Sequence, residues 1–304
     1  MSFMFVTLDV SKLSGWLNAD ADCRVARRAY DAGGTPAERR HMAQAIRLPD
    51  FQEWCVRFTR YRVRSAYGPN LVTNAHLRIA STDELSDLYW GYRAIATGAV
   101  PLKEDQLIAN LRLLFKKGDA FSWENWRTLH IQAVDYKWVE DLLFFSEDQM
   151  DRHAPDFILG FREGWGTRLA TDKVHALIDI FRMRGISVLF IAFDIKWAFP
   201  SLMYLHTLLA YQAIGVPEWW LRARARLWGV VEFDLEEGTM VIDPTLQPRS
   251  MLRIPGCVPR AVTAQRGAME GTRGGPRDWK ITTFPVTRGL RRRLGRVLLD
   301  ITAV

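Results

Sequence analysis

ISVLFIAFDIKWAFPSL (residues 186–202) is the stretch on which the fold reading turns. Its first eight residues, ISVLFIAF (186–193), are almost all apolar and rich in β-branched side chains. A short apolar run of this kind reads as a central strand buried on both faces. The run stops on Asp194, which puts a carboxylate at the edge of the sheet, where ligands are commonly held. Phe199 lies five residues further on. Two readings of Asp194 stand side by side. A phosphoryl-transfer site needs a rigidly fixed carboxylate to hold a divalent metal. Equally, an Asp here can cap a helix starting near Pro200 and Ser201.

Three further segments flank this one in a fixed order. LLFKKGD followed by ENWRTLHI (113–131) is an apolar run ending in two lysines and a Gly-Asp turn, then a second strand, which is a hairpin signal. Lys116, Lys117 and Arg127 would project from its adjacent strands. Arg can grip phosphate bidentately and Lys acts as a point charge, but paired lysines before a turn also serve as a solvated edge. GFREGWGT (160–167) is a Gly-rich loop in which Arg162 could reach a phosphate. It is neither a P-loop, since no G-K-[ST] follows, nor a dinucleotide fingerprint, since no strand leads into it. RGAMEGTRGGP (266–276) is a loop punctuated by Gly267, Gly271 and Pro276, whose backbone could run close to another chain.

The rest of the chain reads as a mixed scaffold. Helices are expected at about 48–64, with Phe51, Trp54, Phe58 and Tyr61 on one core-facing stripe, and at 82–96, with Thr82 as a candidate cap. Further helices are expected at 104–115, 135–145, 168–184, 201–215 and 217–229, and a hairpin at 230–243 about Glu237-Gly238. Beyond that hairpin the sequence reads as loop-rich and ends in the basic stretch RGLRRRLGR (288–296).

The 304 residues are 48% hydrophobic, include twelve Trp and carry a formal net charge of +7. That composition supports a real core, and the basic balance favours polyanionic partners, nucleic acid first. Cys23, Cys55 and Cys257 form no C-x-x-C pair, so neither a zinc signature nor a disulfide framework exists, and buried packing is their expected role. No signal-peptide pattern opens the chain and no apolar run approaches a membrane span. A soluble, intracellular protein without membrane contact is expected.

Taken together, the four segments resemble the reverse transcriptases of non-LTR (LINE-type) retrotransposons and their group II intron relatives. LLFKKGD…NWRTLHIQAVDYK is similar to the family's fingers pattern, with Phe115 and Thr128 at two of its prolines. GFREGWGT resembles its Gly-rich fingers segment, FDIKWAFPS its motif A, and RGAMEGTRGGP its motif B, with Glu270 at the family's Gln and Gly275 at its Ser. The resemblance spans roughly residues 100–276.

That resemblance implies an α+β right-hand polymerase with fingers and a partial palm at 101–276, a mainly helical N-terminal extension at 1–100 and a basic, divergent tail at 277–304. By the same resemblance, Asp194 is the catalytic, Mg²⁺-binding aspartate, and Ile195 offers a backbone carbonyl to the metal. Phe199 lies beneath the sugar, and Lys116 and Arg127 meet the triphosphate of the incoming dNTP. Arg162, Gly267, Glu270 and Gly271 contact the RNA template and DNA primer. One departure is large. The family's aromatic-x-Asp-Asp motif C has no counterpart, because no Asp-Asp pair occurs in the sequence. The strand at 186–193 is then expected to face an unpaired or non-native neighbour, and the chain to be inactive alone. A non-catalytic nucleic-acid-binding remnant of a retroelement is the alternative. The basic stretch at 288–296 reads equally as a nuclear-localisation-like run or as frame-shifted translation.

Overall fold

In the computed structural model, described over residues 3–9, 35–61, 63, 66–152, 160, 165–194, 198–254, 256–263, 267–269 and 271–293, strands and helices are interleaved along the chain. The apolar runs FMFVTLD and VLFIAFD form strands β1 (Phe3–Asp9) and β4 (Val188–Asp194). They pair in parallel, in a register that sets Phe3 beside Val188 and Asp9 beside Asp194. The strand expected at 186–193 therefore does have a neighbour. It comes from Phe3–Asp9, a strand within the segment 1–100 expected to be mainly helical.

Between those strands lie helices α1 (Pro36–Ala45), α2 (Phe51–Thr59), α3 (Asn74–Arg78), α4 (Thr82–Ala96) and the short α5 (Glu104–Leu107). α1, α2 and α4 each open on a reciprocal capping box, Thr35 with Glu38, Asp50 with Glu53 and Ser81 with Glu84. Each box satisfies two orphan donors of a first turn. The cap of α4 is Ser81 rather than Thr82, because Ser81 is the residue with extended backbone. The stripe of α2 is core as expected: Trp54 and Phe58 are buried, and Trp54 packs on Trp138, Tyr89 and Tyr92.

The helix expected at 104–115 is instead α5 followed by strand β2 (Ile108–Phe115). The apolar residues of this segment satisfy a two-residue period once a partner strand is present, and Ala109 and Leu111 face inward. β2 pairs antiparallel with β3 (Trp126–Gln132), giving the expected hairpin. α6 (Val134–Leu143), α7 (Glu147–Arg152) and α8 (Thr167–Met183) follow, then β4, α9 (Tyr204–Ala213) and α10 (Glu218–Arg226). Strands β5 (Val230–Asp234) and β6 (Thr239–Ile242) make the second expected hairpin.

The segment expected to be loop-rich contains β7 (Arg249–Leu252), β8 (Arg260–Thr263) and α11 (Gly274–Arg293). β7 pairs in parallel with β2 and antiparallel with β8, so the four-stranded sheet runs β3-β2-β7-β8. α11 carries the chain across the boundary expected at residue 276. Its Ile281 and Phe284 enter the core, and Thr282 hydrogen-bonds Thr207 on α9 at 3.1 Å. One apolar core joins α1, α2, α4, α6, α9, α10 and the buried face of α11. Among the cysteines, Cys55 is half-buried against that core, Cys257 is exposed rather than packed, and Cys23 lies outside the described residues.

Candidate functional site

The hairpin, the turn after β4 and the loop before α11 meet at one place. The backbone N–H of Ala268 donates to the carbonyl of Phe199 at 2.9 Å. Gly267 has φ +93°, and a Cβ there would stand 2.7 Å from Cα and O of Pro200. Gly271 has φ +95°, and a Cβ there would stand 2.6 Å from Cδ1 of Leu129 and 3.0 Å from the carbonyl of His130 on β3. Both glycines thus occupy the left-handed region, in which an L side chain is strained, and both are pressed against backbone. Sequence reading assigned this loop a close approach to nucleic acid. Within the chain, what it approaches is protein on both sides.

Phe199 sits between that loop and α11, its ring 6.1 Å from the ring of Trp279. No helix begins at Pro200-Ser201. Residues 198–201 form a turn, and α9 begins at Tyr204 with Met203 as its cap residue. The helix-cap reading of Asp194 therefore loses its helix. Asp194 is the last residue of β4, in Cα register with Asp9, the last residue of β1. Both chains run the same way, so two aspartates stand side by side at the carboxyl ends of parallel strands. Carboxylate oxygens are the hard donors that Mg²⁺ takes. Among the described residues, no group of three or more His, Cys, Asp or Glu side chains is arranged to hold a metal ion. Asp194 and Asp9 are the two residues of that donor type that the paired strands bring into register.

Lys116, Lys117 and Arg127 are all exposed on the hairpin. Arg127 stands opposite Leu114, and Arg112 opposite Leu129, so the two arginines share one face of the ladder as diagonal neighbours. Phe115 stands opposite Trp126 on the other face, their ring centroids 5.1 Å apart. Arg162, Ile195 and Glu270 lie outside the described residues.

Behind the loop lies a buried polar cluster that sequence reading did not find. Arg224 on α10 donates from Nη1 to Glu140 Oε1 on α6 at 2.8 Å, and from Nε and Nη2 to the Asp278 carboxylate on α11. Tyr211 donates its hydroxyl to Asp278 at 3.0 Å. The second oxygen of Glu140 accepts the backbone N–H groups of Arg273 (3.1 Å) and Gly274 (3.2 Å), so one side chain ends the loop and starts the helix. Burial pushes the Asp278 carboxyl up, against the pull of Arg224. Burial would lower Arg224, but Asp278 and Glu140 outweigh it and hold the guanidinium well above its ordinary value. Arg273 adds an ion pair with buried Asp141 and stacks over Tyr61 at 3.7 Å. A signal for this cluster was present: Glu140-Asp141 interrupts the apolar helix VDYKWVEDLL, and two acids on a buried helix require partners.

On the sheet side, His130 Nδ1 is 2.6 Å from Ser250 Oγ, which also reaches Met269 Sδ at 3.8 Å. Burial pushes His130 down to about 4. β3, β7 and the loop are thereby tied together through the Ser250 hydroxyl.

No protein-family model matches this chain, and no curated protein matches it in sequence. No described helix is long and apolar enough to cross a membrane.

Proposed function

We propose that the chain carries the fingers and the first half of the palm of a reverse transcriptase of the non-LTR retroelement type, binding RNA template and DNA primer but catalytically incomplete as it stands. The observation that supports this best is the meeting of three segments that lie far apart in the sequence. The hairpin 113–131, the turn after Asp194 and the loop 267–273 touch through Ala268 and Phe199, Gly267 and Pro200, and Gly271 and Leu129. In this reading Asp194 is the metal-holding aspartate, with Asp9 beside it in register. Mg²⁺ bound there would activate a primer 3′-hydroxyl and steady the leaving pyrophosphate. Arg127 and Lys116 hold the dNTP triphosphate from the hairpin, and Ile195 lends a backbone carbonyl. Arg162, Gly267, Glu270 and Gly271 border the template and primer.

The second reading is a non-catalytic nucleic-acid binder. It is favoured by Arg112, Lys116, Lys117 and Arg127, which are exposed and not ion-paired among the described residues. One experiment tests both. The purified chain is given an RNA template annealed to a DNA primer, dNTPs and Mg²⁺. No extension is expected, while hybrid binding is expected at low salt, with log K falling by about 3.6 per decade of salt if four duplex phosphates are engaged. Extension abolished by Asp194→Ala would overturn the incompleteness. Absence of any hybrid affinity at low salt would overturn both readings.

A further inference from the structure

The connection between β2 and β3 is braced by hydrogen bonds of its backbone and side chains. Lys116 N–H donates to the Asn125 carbonyl at 2.8 Å, and Asn125 Nδ2 donates to the Asp119 carbonyl at 2.8 Å. The Asp119 side chain accepts Phe121 N–H at 2.9 Å, and Trp126 Nε1 donates to the Ala120 carbonyl at 2.9 Å. A loop held this firmly could fold Phe121 back onto the hairpin, yet Phe121 is 99% exposed. Just below it, Phe115 and Trp126 form a half-exposed aromatic pair, and the Trp126–Ala120 bond carries the loop over that face. Lys116 and Lys117 flank the same loop, exposed and not ion-paired among the described residues. By alternation along the strand, Arg112, Arg127 and Lys116 share the face opposite Phe115, with Lys116 at the ladder's end where the loop begins.

We propose that this aromatic face, led by Phe121, stacks unpaired bases of a single-stranded nucleic acid while Lys116 and Lys117 hold its phosphates. An aromatic ring beside cations is the arrangement that binds single strands, because every base offers a π-face and every nucleotide a phosphate. A duplex offers the phosphates but keeps its bases stacked inside. An apolar protein pocket would accept Phe121 but gains nothing from the two lysines. This inference rests on the nucleic-acid part of the reading above and not on catalysis.

The test compares two fluorescently labelled 12-nucleotide strands of equal phosphate number, one carrying bases and one abasic, each as RNA and as DNA, alongside the hybrid. The wild-type chain is expected to bind the base-bearing strand about tenfold more tightly than the abasic one. Phe121→Ala should bring that ratio close to one and leave abasic binding unchanged; its side chain is fully exposed, so the fold loses no contact. Phe121→Trp should keep the preference, and Lys116→Gln with Lys117→Gln should weaken both strands alike. Hybrid binding without any base preference, or a preference that survives Phe121→Ala, overturns the stacking face and leaves the reverse-transcriptase reading standing. No affinity for any strand or hybrid overturns both.

Discussion

Arg224→Met is the substitution with the largest consequence that the structure assigns to a single side chain. The guanidinium is buried and serves two carboxylates, Glu140 at 2.8 Å and Asp278 through a bidentate contact. It also lies over the rings of Trp228 (4.7 Å) and Phe144 (5.3 Å). Met fills much of the volume but leaves both acids buried without a counter-charge. Removing one partner of a buried ion pair costs about 3–5 kcal/mol, because the other charge is left unpaired. With two acids stranded, the upper end applies, about 5 kcal/mol. For an m-value of about 3 kcal/mol/M, the urea midpoint should fall by about 1.7 M. The deficit should depend on pH. Burial already raises the Asp278 carboxyl against the pull of Arg224, so in the variant only the Tyr211 hydrogen bond still opposes burial and the folded-state value rises further above the unfolded one. Such a group costs stability as pH rises past its unfolded value near 4, and the cost disappears below it. The deficit should therefore be largest at neutral pH and shrink toward pH 4. Adding Glu140→Gln and Asp278→Asn should restore at least half of the loss. Trp fluorescence in urea titrations at pH 7 and pH 4.5 measures all of this. A deficit under about 1 kcal/mol, or one that neither pH nor the triple substitution changes, refutes the account.

Two other predictions concern the loop and the sheet. Gly267→Ala should lower the melting temperature by about 5 °C or more, since its φ is +93° and a Cβ would press on Pro200 at 2.7 Å; a melt within 1 °C of wild type would contradict the packing. His130 is held neutral by burial down to about 4, so between about pH 6.5 and 4 the unfolded chain binds a proton that the folded one does not. Stability should fall with pH across that window by up to about 3 kcal/mol, with buried His206 adding in the same direction. Denaturant titrations from pH 4 to 7.5 should show a shallower slope in His130→Gln, and an unchanged slope would rule His130 out.

Local pattern carried a good part of this architecture. The apolar run ending at Asp194, the hairpin about Lys116-Gly118 and the stripe Phe51–Tyr61 are each written within a dozen residues, at periods that a backbone imposes. What escaped was set by distant partners. Ile108–Phe115 has enough apolar residues to satisfy a helical period, and only β3 and β7 on its two sides decide for a strand. FMFVTLD has the same form as VLFIAFD, yet its role depends on pairing with a segment near the other end of the chain. Glu140 and Arg224 are 84 residues apart and Arg224 and Asp278 are 54 apart, so nothing local marks them as one cluster. The meeting of Phe199 with Ala268 is likewise invisible in either segment alone.

The loop 267–273 gains its meaning from its two ends. At its entry, Gly267 and Ala268 are fixed to the turn that follows β4. At its exit, Arg273 and Gly274 donate to Glu140, which Arg224 holds in place. Between them, Gly271 lies against β3 at Leu129 and His130. A short loop pinned at three points transmits whatever happens at one to the others. The buried triad of Glu140, Arg224 and Asp278 carries one net negative charge, and the N–H groups at the start of α11 help to compensate it. The charge cluster in the helical core and the glycine contacts at the sheet are therefore parts of a single constraint. That constraint fixes how the hairpin with Lys116 and Arg127 sits against the turn that follows Asp194, the relation on which any shared site between them depends.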